Sequence, residues 1–176
     1  MDFRVSREAF LKVLTHVSSI VDSRSTIPIL SNIYLKCENN QIEIRSTDMD
    51  ISIREFVSCD STKNGEATVN SRILTDIIRK TKKNSIVKCK LEGNRLIINS
   101  DNSVFELNAL SADEFPKFVP LDPTNSFDLT IPQMKRLFNK TKFAISAEET
   151  RYYLNGIYFH TVSNGSKTAL RCVATD

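Results

Sequence analysis

Residues 151–161 read RYYLNGIYFHT and residues 27–37 read IPILSNIYLKC, and each position of the first lies 124 beyond its counterpart in the second. The same offset carries outward without a gap. FRVSREAFLKVL (3–14) falls on FDLTIPQMKRLF (127–138), matching Phe3 with Phe127, Ser6 with Thr130, Phe10 with Met134 and Val13 with Leu137. The register continues through Leu30 and Leu154, Ile33 and Ile157, Tyr34 and Tyr158. STD (46–48) then meets ATD (174–176) if the second copy holds four extra residues, a length change suited to a hairpin tip. Chance likeness between two amphipathic helix-plus-strand units is the competing reading. A match that keeps both the apolar face and the turn residues goes beyond a shared period, so a large internal repeat is predicted.

The first copy runs to EFPKFVPLDPTNS (114–126), where Pro116, Pro120, Pro123 and a small polar run predict a linker. Domains are therefore expected at 1–125 and 126–176. Counterparts of a helix and several strands are missing from the second copy, which leaves it short of surface to bury. The expectation is a piece of a longer protein, cut within its second repeat.

Hydrophobic content of 40% and charged content of 26% over 176 residues are those of a soluble globular protein. The start, MDFRVSREAF, shows no basic segment followed by an apolar core, and no stretch approaches the roughly 18 apolar residues of a membrane span. A cytoplasmic protein with no membrane partner is expected. Cys37, Cys59, Cys89 and Cys172 are scattered with no CxxC pair, and His16 and His160 are far apart. Metal binding is not expected, and each cysteine reads as a small buried hydrophobe of a reducing compartment.

The formal charge of +3 is local: residues 1–125 hold equal numbers of basic and acidic side chains, whereas 126–176 hold 7 basic and 4 acidic. The clusters are RILTDIIRKTKK (72–83) and MKRLFNKTKF (134–143), and both fall on predicted helices. Helix one has Ser6 as N-cap and Glu8 in its first turn, with Phe10, Val13, Leu14, Val17, Ile20 and Val21 on one stripe. Its other face carries Arg7, Lys12 and His16. Helix two starts near Ser71, packs Ile73, Leu74, Ile77 and Ile78, and presents Arg72, Arg79, Lys80, Lys82 and Lys83. Helix three has Thr130 as cap and Pro132 in its first turn. It packs Met134, Leu137 and Phe138 and presents Lys135, Arg136, Lys140 and Lys142. Basic faces recurring at equivalent repeat positions suit a phosphate backbone; ordinary solvated surface is the alternative.

Between the helices QIEIRS (41–46), MDISIREF (49–56), SIVKCKL (85–91), RLIINS (95–100) and SVFELNAL (103–110) alternate as strands, with turns at ENN and EGN. Helices separated by hairpin strands give an α+β unit, with a helix layer on antiparallel sheet. Four glycines form no phosphate-cradling loop, and no nucleophile elbow, HExxH or Cys/His pairing occurs. Acidic pairs in TDMD (47–50) and ADE (112–114) could hold a metal for a nuclease, but Asp48 is read as capping a turn.

FRVSREAFLKVL, RSTIPILSNIYL, STDMDISI, ALSADEFPKF and RYYLNGIYFHT…RCVATD together resemble the β subunit of bacterial DNA polymerase III, the replication sliding clamps. The likeness covers the whole chain in order, and PILSNI, RYYLNG and VATD are specific. In that family ATD leads into GHRL, which is missing here. The resemblance implies a DNA clamp fold of repeated domains, each with two helices packed on antiparallel β-sheets. Three such domains, the third absent here, pair head to tail into a homodimeric ring around double-stranded DNA. It implies no catalytic residue and no cofactor. The implied partners are the DNA polymerase III alpha subunit, the clamp loader, and other polymerases and repair proteins that dock through short peptide motifs.

Residue by residue, the resemblance places Arg24, Arg72, Tyr152 and Tyr153 at DNA-contacting positions, the tyrosines offering faces to bases or sugars. Glu148 stands where a better-studied member carries glutamine, and a carboxylate there repels phosphate. A packed tyrosine pair on a strand edge is the alternative for Tyr152 and Tyr153. Arg151, Leu154 and Thr175 fall in the client-peptide pocket, much of which would come from residues beyond Asp176. Phe105 and Leu107 match apolar residues of the dimer interface, where an exposed edge invites β pairing; core packing is their alternative. Two functional alternatives stay open: a metal-dependent nucleic-acid enzyme that Asp48→Asn would disable, and a basic non-ring DNA-binding module.

Overall fold

The computed structural model describes residues 1–21, 27–117, 126–165 and 167–176. Arg24 and the expected domain boundary at 125/126 lie outside the described residues. The chain divides into two compact units, Met1–Pro120 and Leu121–Asp176.

The first unit runs β1 (Asp2–Ser6), α1 (Arg7–Val17), β2 (Asn32–Glu38), β3 (Gln41–Thr47), β4 (Ser52–Ser58), β5 (Asp60–Lys63), β6 (Gly65–Asn70), α2 (Ser71–Lys80), β7 (Ile86–Glu92), β8 (Arg95–Ser100) and β9 (Ser103–Leu110). The nine strands form one antiparallel sheet in the order β4-β3-β2-β6-β9-β8-β7-β1-β5. This is an α+β fold, as the alternation of helical and period-2 stretches predicts. Its element order holds a second, finer repeat: strand, helix and three strands occur as β1-α1-β2-β3-β4 and again as β6-α2-β7-β8-β9. The halves exchange their first strands, β1 pairing with β7 and β6 with β2.

Helix α1 packs on α2 and on β3 and β4. Phe10 and Leu14 of α1, Leu74 and Ile78 of α2, and Ile33, Leu35, Ile42, Ile44, Leu96 and Ile98 of the strands are fully buried between them. In β8, and in β3 as far as Ser46, the inward positions alternate, as one buried sheet face requires. Gly65 is set by a close approach, since a Cβ there would lie 2.8 Å from the Met1 backbone nitrogen.

Several sequence expectations need correction. Arg7 is buried against α2 rather than displayed on the outer face of α1. Ile73, placed on the packed stripe, is 53% exposed because Leu74 and Ile78 already fill the inward positions. Lys82 and Lys83 lie beyond the end of α2, in the turn to β7. The strand expected from Met49 starts at Ser52, because Asp48 first closes a turn: its Oδ1 accepts from the Asp50 and Ile51 amides at 3.0 and 2.6 Å. The reading of Asp48 as a turn cap therefore fits its geometry.

The second unit holds α3 (Ile131–Thr141) and one hairpin, β10 (Tyr158–Asn164) and β11 (Lys167–Val173). Both ends of α3 stand 124 positions beyond those of α1, as the repeat demands. Thr130 and Gln133 form a reciprocal capping box at its start. The four extra residues lengthen the hairpin by two rungs rather than enlarge its tip: five pairs span Tyr34 to Glu38 in β2, and seven span Tyr158 to Asn164 in β10. Residues 126–130, equivalent to β1, form no strand, because β5 and β7, the partners that hold β1, have no counterpart among the described residues of this unit. For the same reason α3 buries none of its residues fully.

Candidate nucleic-acid interface and peptide pocket

The basic side chains sit on short helices whose apolar stripes fix their orientation. On α1, Lys12 and His16 face solvent, and His16 Nδ1 bonds the Glu55 carboxylate of β4. On α2, Arg72, Arg79 and Lys80 are exposed, with Arg79 paired to Asp76 at 2.8 Å. On α3, Lys135, Arg136 and Lys140 are exposed, and Lys142 follows in the next turn. Lys12 and Arg136 occupy equivalent repeat positions, as do His16 and Lys140.

The start of α2 is well fixed. The Asn70 side chain caps the Ile73 amide at 3.0 Å. The Ser18 hydroxyl shares hydrogen bonds with Ser71 and Thr75 at 2.7 and 3.0 Å, tying the end of α1 to the first turn of α2. Arg72 projects beside this hydroxyl cluster into a concavity of about 510 Å³.

In the second unit Tyr152 and Tyr153 lie in a short 3-10 segment, not on a strand edge, and are 78% and 71% exposed. Their rings meet edge to face with centroids 5.8 Å apart. The next turn of chain brings Leu154 and Thr175 together with Tyr153, Ile157, Tyr158 and Val173 around a concavity of about 260 Å³. Arg151 is not brought into that lining; its Nε pairs with Glu148 at 3.0 Å. Glu148 thus faces an arginine, which offsets the repulsion a bare carboxylate would exert on phosphate. Sequence reading missed Tyr158 and Val173, which are direct cross-strand neighbours. Alternation along the hairpin, counted back from Thr175, is the signal that could have found them. Tyr158 also stacks on His160 at 5.1 Å.

Leu107 is 6% exposed and belongs to the core of the first unit, with Phe105 partly buried beside it on the same face. The edge of β9 is nevertheless largely open, since β6 pairs only with Ala109 and Leu110. In the first unit Arg72 on α2 and the open edge of β9 belong to different elements, in the second Tyr153 of the tyrosine pair itself lines the Leu154 concavity, and Arg24 lies outside the described residues.

Among the described residues no group of three or more His, Cys, Asp or Glu is placed to hold a metal ion. Cys37, Cys59 and Cys89 are buried and unbridged. Burial, with Cys37 beside it, pushes the Cys59 thiol up to about 12, and burial raises Cys89 as well. No helix among the described residues is long and apolar enough to cross a membrane.

Two family models match the chain, the DNA polymerase III beta subunit N-terminal domain over residues 1–119 and its central domain over residues 128–176. The beta sliding clamp of Caulobacter vibrioides is 40% identical over the whole chain, and that of Pseudomonas aeruginosa is 34% identical. The chain spans about half the length of these curated relatives, 48% and 47%. A solved structure of Caulobacter crescentus pol III beta superposes on all of the chain with a TM-score of 0.95 at 40% identity, using 48% of its own length. A Bartonella birtlesii sliding clamp, solved bound to griselimycin, matches with a TM-score of 0.95 at 39% identity, covering all of this chain and 47% of its own. The chain belongs to the DNA polymerase III beta subunit family, the beta sliding clamps.

Proposed function

We propose that this chain forms part of a sliding clamp that encircles duplex DNA and tethers the replicative DNA polymerase, conferring processivity without catalysing a reaction. Beyond family membership, the supporting observation is an exposed cation at the equivalent positions Lys12 of α1 and Arg136 of α3, joined by Arg72, Arg79 and Lys80 on α2. Cations on packed helices bind phosphates without reading bases, as sliding requires. In this reading Arg24, Arg72, Tyr152 and Tyr153 contact DNA beside Glu148. Arg151, Leu154 and Thr175 serve a client-peptide pocket, with Arg151 released from Glu148 when a peptide arrives. Phe105, Leu107 and the open β9 edge serve a homodimer interface.

The whole protein would act in the cytoplasm, with domains meeting near residue 125. Its partners would be the DNA polymerase III alpha subunit, the clamp loader, and other polymerases and repair proteins carrying short docking motifs. The test is a primer-extension assay with the full-length gene product, its polymerase and its clamp loader on a long primed template. A large increase in product length per binding event is expected. Unchanged product length contradicts the proposal.

A further inference from the structure

The end of α2 and the turn that leads to β7 place Arg79, Lys80, Lys82 and Lys83 within five consecutive positions. Its backbone is tied down on every side. The Thr81 hydroxyl donates to the Ile78 carbonyl at 2.8 Å, and the Ser85 hydroxyl to the Lys82 carbonyl at 2.7 Å. The Asn84 amide, at a φ of 59°, donates to Glu8 Oε1 at 2.8 Å, and the Arg7 amide to the Ser85 carbonyl at 3.1 Å. Cations on so fixed a scaffold lose little backbone freedom when a partner binds. Arg79 is paired with Asp76, but Lys80, Lys82 and Lys83 are exposed and have no ion pair among the described residues.

The turn feeds directly into the outward face of β7. There Lys88 stands directly opposite Arg4 of β1 in the antiparallel register. Like charges opposed in this way are destabilising, so the arrangement costs the isolated fold something that a bound anion would return. The acids nearby are Asp60, across from Arg4 on β5, Asp2, across from Lys90 and on the same face of β1 as Arg4, Glu92, paired with Lys90, and Glu8, engaged with the Asn84 amide.

We propose that Lys80, Lys82, Lys83, Lys88 and Arg4 form a second nucleic-acid surface, binding a single strand through its phosphates, that starts at the C-terminal end of α2 and runs onto the outward face of β7 and β1. The surface lacks the buried aromatic or aliphatic centre of a protein interface. Among these residues and their neighbours only Ile86, at 60%, is an exposed large hydrophobic side chain. Successive outward side chains of a strand lie about 6.6 Å apart in a row, which a flexible phosphate chain can follow.

The test uses the full-length protein and a fluorescent oligothymidylate of about 20 nucleotides, with affinity followed by anisotropy between 50 and 200 mM salt. The K80Q/K82Q/K83Q variant is expected to lose at least tenfold in affinity at low salt. Its log–log salt slope should become shallower by about 2, given roughly 0.7 per engaged cation on single strands. Lys88→Gln is expected to weaken binding without lowering the thermal midpoint, because it relieves the opposition to Arg4. Lys36→Gln, on a different part of the sheet and paired with Glu38, should change nothing. Wild-type affinity and slope in both basic-surface variants overturn the proposal. Competition by polyglutamate as effective as by unlabelled oligothymidylate also overturns it, in favour of an acidic protein partner.

Discussion

Arg7 donates from Nε to the Ile78 carbonyl at 3.2 Å and from Nη2 to the Arg79 carbonyl at 2.8 Å, satisfying acceptors that the end of α2 leaves open. Replacing it with methionine keeps the packing of the stem and removes the charged donor from both carbonyls, leaving Ile78 only the Thr81 hydroxyl. Arg7→Met should therefore destabilise the protein by about 2 kcal/mol in chemical denaturation, as loss of charged hydrogen bonds does. Its neighbour Glu8 makes the fold sensitive to acid. The hydrogen bond from the Asn84 amide, with Arg7 close by, lowers the Glu8 pKa below its ordinary value of 4.5. Stability from this carboxylate is present above the unfolded pKa and fades as pH falls through the folded one. Thermal midpoints measured from pH 6 down to about pH 3 should fall less steeply in Glu8→Gln than in the wild type; parallel curves would contradict the assignment. Glu8 was legible in the sequence as a first-turn acid. Arg7 was not, because a helical wheel assigns a charge to the outer face and carries no information about carbonyls about 70 residues away that need a donor.

At the scale of elements, stability resides in caps and in the inward stripes. Asn70→Ala removes the cap that holds the start of α2 and Arg72 with it, and should cost about 1 kcal/mol in denaturant unfolding. Adjacent positions on α2 should separate sharply. Leu74→Ala, at full burial, should cost about 2–5 kcal/mol, whereas Ile73→Ala, half exposed, should stay within about 0.5 kcal/mol. Equal costs at the two positions would contradict this orientation of α2. Strands β3, β7, β8 and β9 were legible from their alternation, and α3 from Thr130 and Pro132. Strands β5 and β6 were not: DSTK carries no apolar residue, and GEATVN is too short and too polar to display a period. Their place comes from pairing with β1 and β2, which is tertiary information.

For the whole molecule, the repeat at offset 124 was readable because both copies keep the apolar pattern, a hydroxyl residue before the first helix and the corner before the first hairpin, although only Thr130, and not Ser6, caps its helix with its side chain. The finer repeat within the first unit was hidden. Its halves share topology rather than residues, and the exchange of β1 and β6 between them leaves no trace in local sequence. The lining of the peptide pocket also follows only from the fold, since Leu154 and Thr175 are 21 positions apart and meet only through the hairpin. In the proposed function, these parts serve one physical principle: retention by topology, with contacts weak enough to permit sliding. The most direct test is to load the full-length gene product onto a nicked circular plasmid with its clamp loader and measure protein retention before and after a single linearising cut. Retention on circles and rapid loss from cut DNA is the expected result. Equal retention on both would mean that these basic residues grip DNA directly, and would contradict a ring.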